Sequence, residues 1–152
     1  MSSSTFNQYD AICRLQLRKP LEHHTFDLQK NPLGVEQSNA TKEFVSEPRV
    51  LEYKYSFDAL LEEFEKEIKA EKELHLVVAW ETGKRWKERY EITSLLDLSN
   101  LHHRYFHGGT HLVKSAKTGD TIFPMIVLSE LIAYINDPAK AQATQTSLYD
   151  AT

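Results

Sequence analysis

The chain has a single cysteine, Cys13, which excludes an internal disulfide framework and a cysteine-built zinc site and fits a reducing compartment. It has no apolar run approaching the roughly 20 residues of a membrane span. Nor does Met1-Ser2-Ser3-Ser4-Thr5 carry a basic segment followed by an apolar one, so a cytoplasmic setting with no membrane is expected. Basic excess is also missing. With a formal net charge of -4, the chain exerts no global pull on DNA or RNA, and any nucleic-acid contact has to rest on a local basic patch or on metal ions. Gly-x-Ser-x-Gly, a Gly-rich phosphate loop and a dinucleotide fingerprint are all absent, which sets aside the enzymes built on them. Cys13 has no histidine neighbour in the sequence to activate it as a nucleophile, and there is no internal repeat.

What is present suffices for one core. A hydrophobic content of 41% with seven Phe, seven Tyr and two Trp in 152 residues indicates one folded domain rather than a disordered chain. Residues 1–10 are polar and Ser-rich, and residues 138–152 lack apolar periodicity, so both ends are expected to be flexible around a domain spanning 11–137. Thr25-Phe26-Asp27-Leu28 reads as a strand edge, and Glu47-Pro48 punctuates the approach to a strand over 49–55. Phe57, Leu60, Leu61, Phe64 and Ile68 then fall at the spacing of one buried helical stripe, with Ser56 as N-cap, predicting a helix over 57–72. Its charged residues, Glu62, Glu63, Glu65, Lys66, Glu67, Lys69, Glu71 and Lys72, read as a solvated face. Leu74 to Trp80 predicts a central strand, with further strands near 90–93, 110–113 and 121–127 and a last helix over 129–135. This succession points to an α/β domain with a central mixed β-sheet flanked by helices.

Chemistry concentrates in Val50-Leu51-Glu52-Tyr53-Lys54-Tyr55. Side chains alternate along a strand, so Glu52 and Lys54 share one face while Leu51, Tyr53 and Tyr55 share the other. A carboxylate that holds a divalent cation, beside an ammonium that steadies a water or a developing phosphate charge, is one way to build a phosphodiester-cleaving site. The competing reading is an ordinary solvent-facing strand pair.

The stretch Arg49 to Ser56, the helix after it and the apolar strand Leu76-Val77-Val78-Ala79-Trp80 resemble the core of the PD-(D/E)xK, or restriction-endonuclease-like, superfamily, over about residues 20 to 82. The resemblance implies a restriction-endonuclease-like fold in which Glu52 and Lys54 match the motif's Glu and Lys. It also implies a further acidic residue. Asp27 is the best candidate, although Phe26 stands where the family often has proline, and Glu47 is the substitute. A triad of Asp27, Glu52 and Lys54 would bind Mg²⁺ or Mn²⁺ through Asp27 and Glu52. A second, vaguer resemblance, carried by Glu52-Tyr53-Lys54-Tyr55-Ser56 and by His103 to His111, is to the nuclease-like domains attached to bacterial GHKL ATPases of the MORC type.

Two other clusters stand out. Lys84, Arg85, Lys87 and Arg89 surround Trp86 at a turn, combining cations for phosphates with a ring for base stacking; alternatively this is a soluble hairpin whose Trp packs on the core. His102, His103, His107 and His111 lie close in sequence, and His103 and His107 at i, i+4 would share a helix face suited to a transition metal. Gly108-Gly109 breaks any such helix, which favours structural histidines and a sharp turn, with Tyr105 and Phe106 making it a packed element or a partner surface.

The leading expectation is a metal-dependent nuclease cutting nucleic acid as a subunit of a larger bacterial, defence-type assembly, since no recognition domain is visible and a partner protein or homodimer would have to supply grip. The rival is a non-catalytic interaction subunit that keeps the nuclease-like fold. A third reading is a metal-binding regulatory module built on the histidines.

Overall fold

The computed structural model describes residues 9–149. A mixed sheet of six strands forms the centre: β1 (Ala11–Cys13), β4 (Arg49–Ser56), β5 (Leu76–Glu81), β6 (Tyr90–Ser94), β7 (His111–Ser115) and β8 (Thr121–Val127), in the spatial order β1-β4-β5-β8-β7-β6. Strands β4, β5 and β8 run parallel, and the antiparallel neighbours β1 and β7–β6 complete the two sides. A separate two-stranded ribbon pairs β2 (Gln16–Leu17) with β3 (Phe44–Val45).

Helix α1 (Phe57–Glu65) starts where Ser56 Oγ accepts from the Asp58 N–H, satisfying one of the unpaired donors of the first turn. It buries Phe57, Leu60 and Leu61 against Val77, Ala79, Phe123, Met125 and Val127 on one face of the sheet. The Asp58 carboxylate accepts from the Lys84 and Arg85 N–H groups. Gly83 makes that approach possible, because at φ +73 a Cβ would sit 2.3 Å from the Asp58 carboxylate. The helix is shorter than the 57–72 the periodicity predicts. It stops at Glu65, Glu67 takes a positive φ of 58, and Ile68 is exposed instead of closing the apolar stripe.

The expected strand at Thr25 to Leu28 is reduced to the isolated bridges Thr25↔Val35 and Asp27↔Asn31. The two expected flexible ends differ too. Residues 1–8 and 150–152 lie outside the described residues, but Tyr9 is buried in the core and residues 138–149 form a helix. Helix α2 (Leu128–Asn136) leads directly into this helix, α3 (Pro138–Tyr149). No described helix is long and apolar enough to cross a membrane.

Helix α3 is held by polar contacts as well as apolar ones. Gln145, 2% exposed, donates to Glu130 Oε1 at 2.7 Å and accepts from Ser94 Oγ, while the Tyr149 hydroxyl donates to Glu130 Oε2 at 2.6 Å. Burial alone would raise the Glu130 pKa, but His111, Tyr149 and Gln145 together hold it below the usual carboxyl range. Tyr149→Phe is expected to lower stability by about 1.5 kcal/mol, the worth of a hydrogen bond to a charged acceptor. Because a depressed folded-state pKa stabilises only above the unfolded value, this loss should shrink as pH falls through the acid range and Glu130 is protonated. Urea unfolding at neutral and acid pH measures both; an equal loss at the two would refute the assignment.

Candidate functional site

Glu52 and Lys54 do share the face of β4 that packs beneath α1, but they are not a solvent-facing pair. Glu52 is fully buried and the Lys54 side chain is 20% exposed. The antiparallel register pairs Ala11 with Leu51; continued by one residue, it sets Asp10 opposite Glu52. Asp10 Oδ2 accepts from the Tyr53 N–H at 2.8 Å, and its carboxyl meets that of Glu52. The two carboxyls titrate in opposite directions. Burial first, and then Asp10, push Glu52 up to about 7, while contact with Glu52 and the Tyr53 N–H hold Asp10 below its ordinary value. Glu52 is the carboxyl that keeps a proton, because it is the one removed from water.

Two lysines meet this pair through a third carboxylate. Lys54 Nζ contacts Glu63 Oε1, and Lys69 Nζ lies 2.7 Å from Glu52 Oε2 and 2.8 Å from Glu63 Oε2. Burial would raise Glu63, but Lys54 and Lys69 hold it below the usual range. For Lys69, burial acts to lower the pKa, and the adjacent Glu52 and Glu63 carboxylates outweigh it and raise it. Lys69 is also 5.8 Å above the Tyr9 ring. Even so, neither oxygen of Glu52 completes a directed hydrogen bond. The charge that Lys69 supplies is close but off-axis.

Glu63, Lys69 and Asp10 are therefore the residues that sequence reasoning missed. The first two read as solvated helix charges, and Asp10 as part of a flexible end. Asp27, the expected first acidic residue, is spent locally: fully exposed to solvent, its carboxylate accepts from the Gln29 and Lys30 N–H groups, both at 2.9 Å. No hydrogen bond or ion pair joins it to Glu52 or Lys54 among the described residues. The carboxylate that lies beside Glu52 is that of Asp10, brought there by the β1–β4 register and not by the loop before β3. Glu47 is no substitute either, since it precedes β4 and Ser46 Oγ donates to its carbonyl.

Among the described residues no group of three or more His, Cys, Asp or Glu side chains is arranged around a metal position. The donor set is the Asp10–Glu52 pair. Two carboxylates supplemented by carbonyl, water and substrate oxygens meet the demands of Mg²⁺, a hard cation that keeps much of its hydration. Buried Glu52 oxygens without directed hydrogen bonds are atoms such a cation would satisfy.

The basic turn is a 3₁₀ segment, Arg85–Glu88, in which Trp86 is 8% exposed and packs 5.7 Å from the Tyr149 ring. Trp86 is thus a core residue and offers no face for base stacking. Arg85 is engaged by both oxygens of Glu65 at 2.8 and 2.7 Å, whereas Lys84, Lys87 and Arg89 are exposed, the last two over the Trp86 and Tyr90 rings. The histidines do not form a helical pair. His103 ends a 3₁₀ segment, Leu98–His103, and stacks on His102, while exposed His107 bonds Asn31 Oδ1 at 2.6 Å and His111 is buried in β7 beside Thr110 and Gln145. Gly108 makes the turn at φ +92, and Gly109 leaves room for the Phe106 ring, which would meet a Cβ at 3.2 Å. Tyr105 remains 64% exposed.

The opposite face of the sheet carries a cavity of about 250 Å³. Leu76, Leu112 and Pro124 form its floor, and Phe44, His103 and Phe106 lie among its walls. No family model, no curated protein and no solved structure matches this chain.

Proposed function

We propose that the protein is a divalent-metal-dependent nuclease of restriction-endonuclease-like, PD-(D/E)xK type, with Asp10, Glu52 and Lys54 as its working residues. The observation that carries this reading is buried Glu52, whose oxygens lack directed hydrogen bonds, paired with the solvent-exposed Asp10 carboxyl on the strand face that also presents Lys54. Asp10 and Glu52 would hold Mg²⁺ or Mn²⁺. The cation would polarise the scissile phosphate and lower the pKa of a bound water. Lys54, oriented by Glu63, would position that water or neutralise charge on the phosphate. Charge counting supports a phosphodiester: once the cation displaces the proton that Glu52 keeps, Asp10, Glu52 and Glu63 against Lys54 and Lys69 leave one excess negative charge, which a divalent cation turns into one positive charge. One backbone phosphate brings the opposite charge.

Lys84, Lys87 and Arg89 are exposed cations available to a nucleic-acid backbone, and a partner protein in a bacterial, defence-type assembly would supply the remaining grip. The test is cleavage of single- and double-stranded DNA and RNA by purified protein with Mg²⁺ or Mn²⁺. Asp10→Asn, Glu52→Ala and Lys54→Ala should each reduce cutting by about a hundredfold or more, EDTA should abolish it, and Asp27→Ala should retain it. Equal cutting by wild type and Glu52→Ala would remove the assignment.

One observation favours the rival class. On the sheet face away from α1, Tyr53, Tyr55 and Trp80 are 53%, 70% and 39% exposed, a surface suited to a non-catalytic interaction subunit. That reading predicts partner binding that survives Glu52→Ala and fails in Tyr55→Ala.

A further inference from the structure

Lys69 does not fit the role of a bystander. Its side chain is only 8% exposed, and its ammonium is wedged between Glu52 and Glu63 at 2.7 and 2.8 Å. Yet neither Glu52 Oε2 nor Glu63 Oε2 gains a directed hydrogen bond from it. A buried lysine usually earns its place by such bonds; here only charge is matched. The segment that carries it is irregular, leaving α1 after Glu65 and passing through the left-handed Glu67 at φ 58. Ile68 and Lys69 both direct their N–H groups to the Glu63 carbonyl, at 3.0 and 3.4 Å, and the Tyr9 hydroxyl accepts from the Ala70 N–H at 3.3 Å. The backbone thus holds the lysine over the carboxylates without committing it to either.

We propose, on the basis of the metal-site reading above, that Lys69 is a resident counter-ion occupying the cation's place beside Glu52, and that a divalent cation binds by displacing its ammonium onto Glu63. The displacement is short. Glu63 already contacts Lys69 and Lys54, so it can keep both ammoniums while Glu52 turns to the cation. The Tyr9 ring at 5.8 Å offers the lysine a second favourable surface. In this arrangement Glu63 anchors the lysines and is not a metal ligand, which accords with the absence of a three-carboxylate cage among the described residues. Metal affinity is then the difference between the cation's hold on Glu52 and that of Lys69.

Mn²⁺ binding to the purified full chain, read by the electron paramagnetic resonance of free Mn²⁺, tests this without any cleavage assay. Wild type, Lys69→Met, Lys69→Gln, Lys69→Arg and Glu52→Gln are titrated, with a melting curve for each to establish that it folds. The two neutral variants should bind Mn²⁺ at least ten times more tightly than wild type, Lys69→Arg should stay near wild type, and Glu52→Gln should not bind. Met and Gln differ in polarity, so a fault in folding caused by one is not repeated by construction in the other. If wild type binds in a Glu52-dependent way and the neutral variants bind equally or more weakly, the counter-ion proposal fails and the metal site stands. If no protein binds Mn²⁺ through Glu52, both fail.

Discussion

Arg104→Met is expected to lower stability by about 4 kcal/mol, since several buried carbonyls lose their donor at about 1–3 kcal/mol each, and the melting temperature by roughly 10 °C. The side chain is fully buried and makes no ion pair with a carboxylate among the described residues. Backbone carbonyls take all of its bonds. Nε donates to Gly109 O at 3.0 Å, Nη1 to Pro32 O at 3.1 Å and Gly34 O at 2.7 Å, and Nη2 to Leu95 O at 2.7 Å. Burial pushes its pKa down to about 10, still far enough above neutrality that the guanidinium remains charged. One planar fork therefore pins three stretches of irregular chain: the loop at 32–34, the end of β6 and the Gly108-Gly109 turn. Methionine fills much of the volume but supplies no donor, leaving four carbonyls without this partner, three of them buried and that of Pro32 partly so. Lysine has donors but no fork, so Arg104→Lys should recover less than half of the loss. Guanidinium unfolding of the three proteins measures this, and a loss below about 1 kcal/mol for Arg104→Met would show that water replaces the missing donors.

The elements that were legible in the sequence are those whose burial repeats locally. Strand β8 occupies Thr121–Val127 as its apolar run implies, β4 and α1 begin where Glu47-Pro48 and Ser56 place them, and the last predicted helix is α2 within one residue at each end. Helix α3 was invisible because the face it buries is Ala141, Gln145 and, packed beside the core, Tyr149. These stand at i, i+4 and i+8, a helical stripe whose central member is polar, and its burial is secured by Glu130 and Ser94 from elsewhere in the chain. The site was half legible for a similar reason. Glu52 and Lys54 share a face by the alternation of one strand, which is local. Asp10 joins them through a register between strands about 40 residues apart, and the strand it leads into spans only three residues. Lys69 and Glu63 read as part of a solvated helix face because the charged run from Glu62 to Lys72 continues a helical pattern that the backbone abandons at Lys66.

Glu52→Gln is expected to stabilise the metal-free protein by about 2 kcal/mol while abolishing its response to Mg²⁺. A carboxylate whose folded-state pKa is raised to about 7, from an ordinary value near 4.5, binds more protons folded than unfolded between those limits. Stability then falls as pH rises through that window, by up to about 1.36 kcal/mol for each unit of difference, and about 2 kcal/mol allows for relaxation around the charge. Glutamine removes the charge with little change of shape, and Lys69 keeps Glu63 as its partner at 2.8 Å. The advantage of the variant should therefore be near zero at pH 4.5, grow to pH 7 and level off above it, raising the melting temperature by roughly 5 °C at pH 8. Added Mg²⁺ should stabilise the wild type alone and narrow the gap, since a ligand that binds only the folded state stabilises in proportion to the logarithm of its concentration. Melting curves from pH 4.5 to 8.5, with EDTA or with Mg²⁺, separate the two effects. A Glu52→Gln variant less stable than wild type at pH 8 in EDTA would mean that Glu52 serves as a structural partner of Lys69. The predicted opposite sign identifies a residue kept at a cost to folding, the condition expected of a buried carboxylate whose proper partner is a ligand and not the rest of the chain.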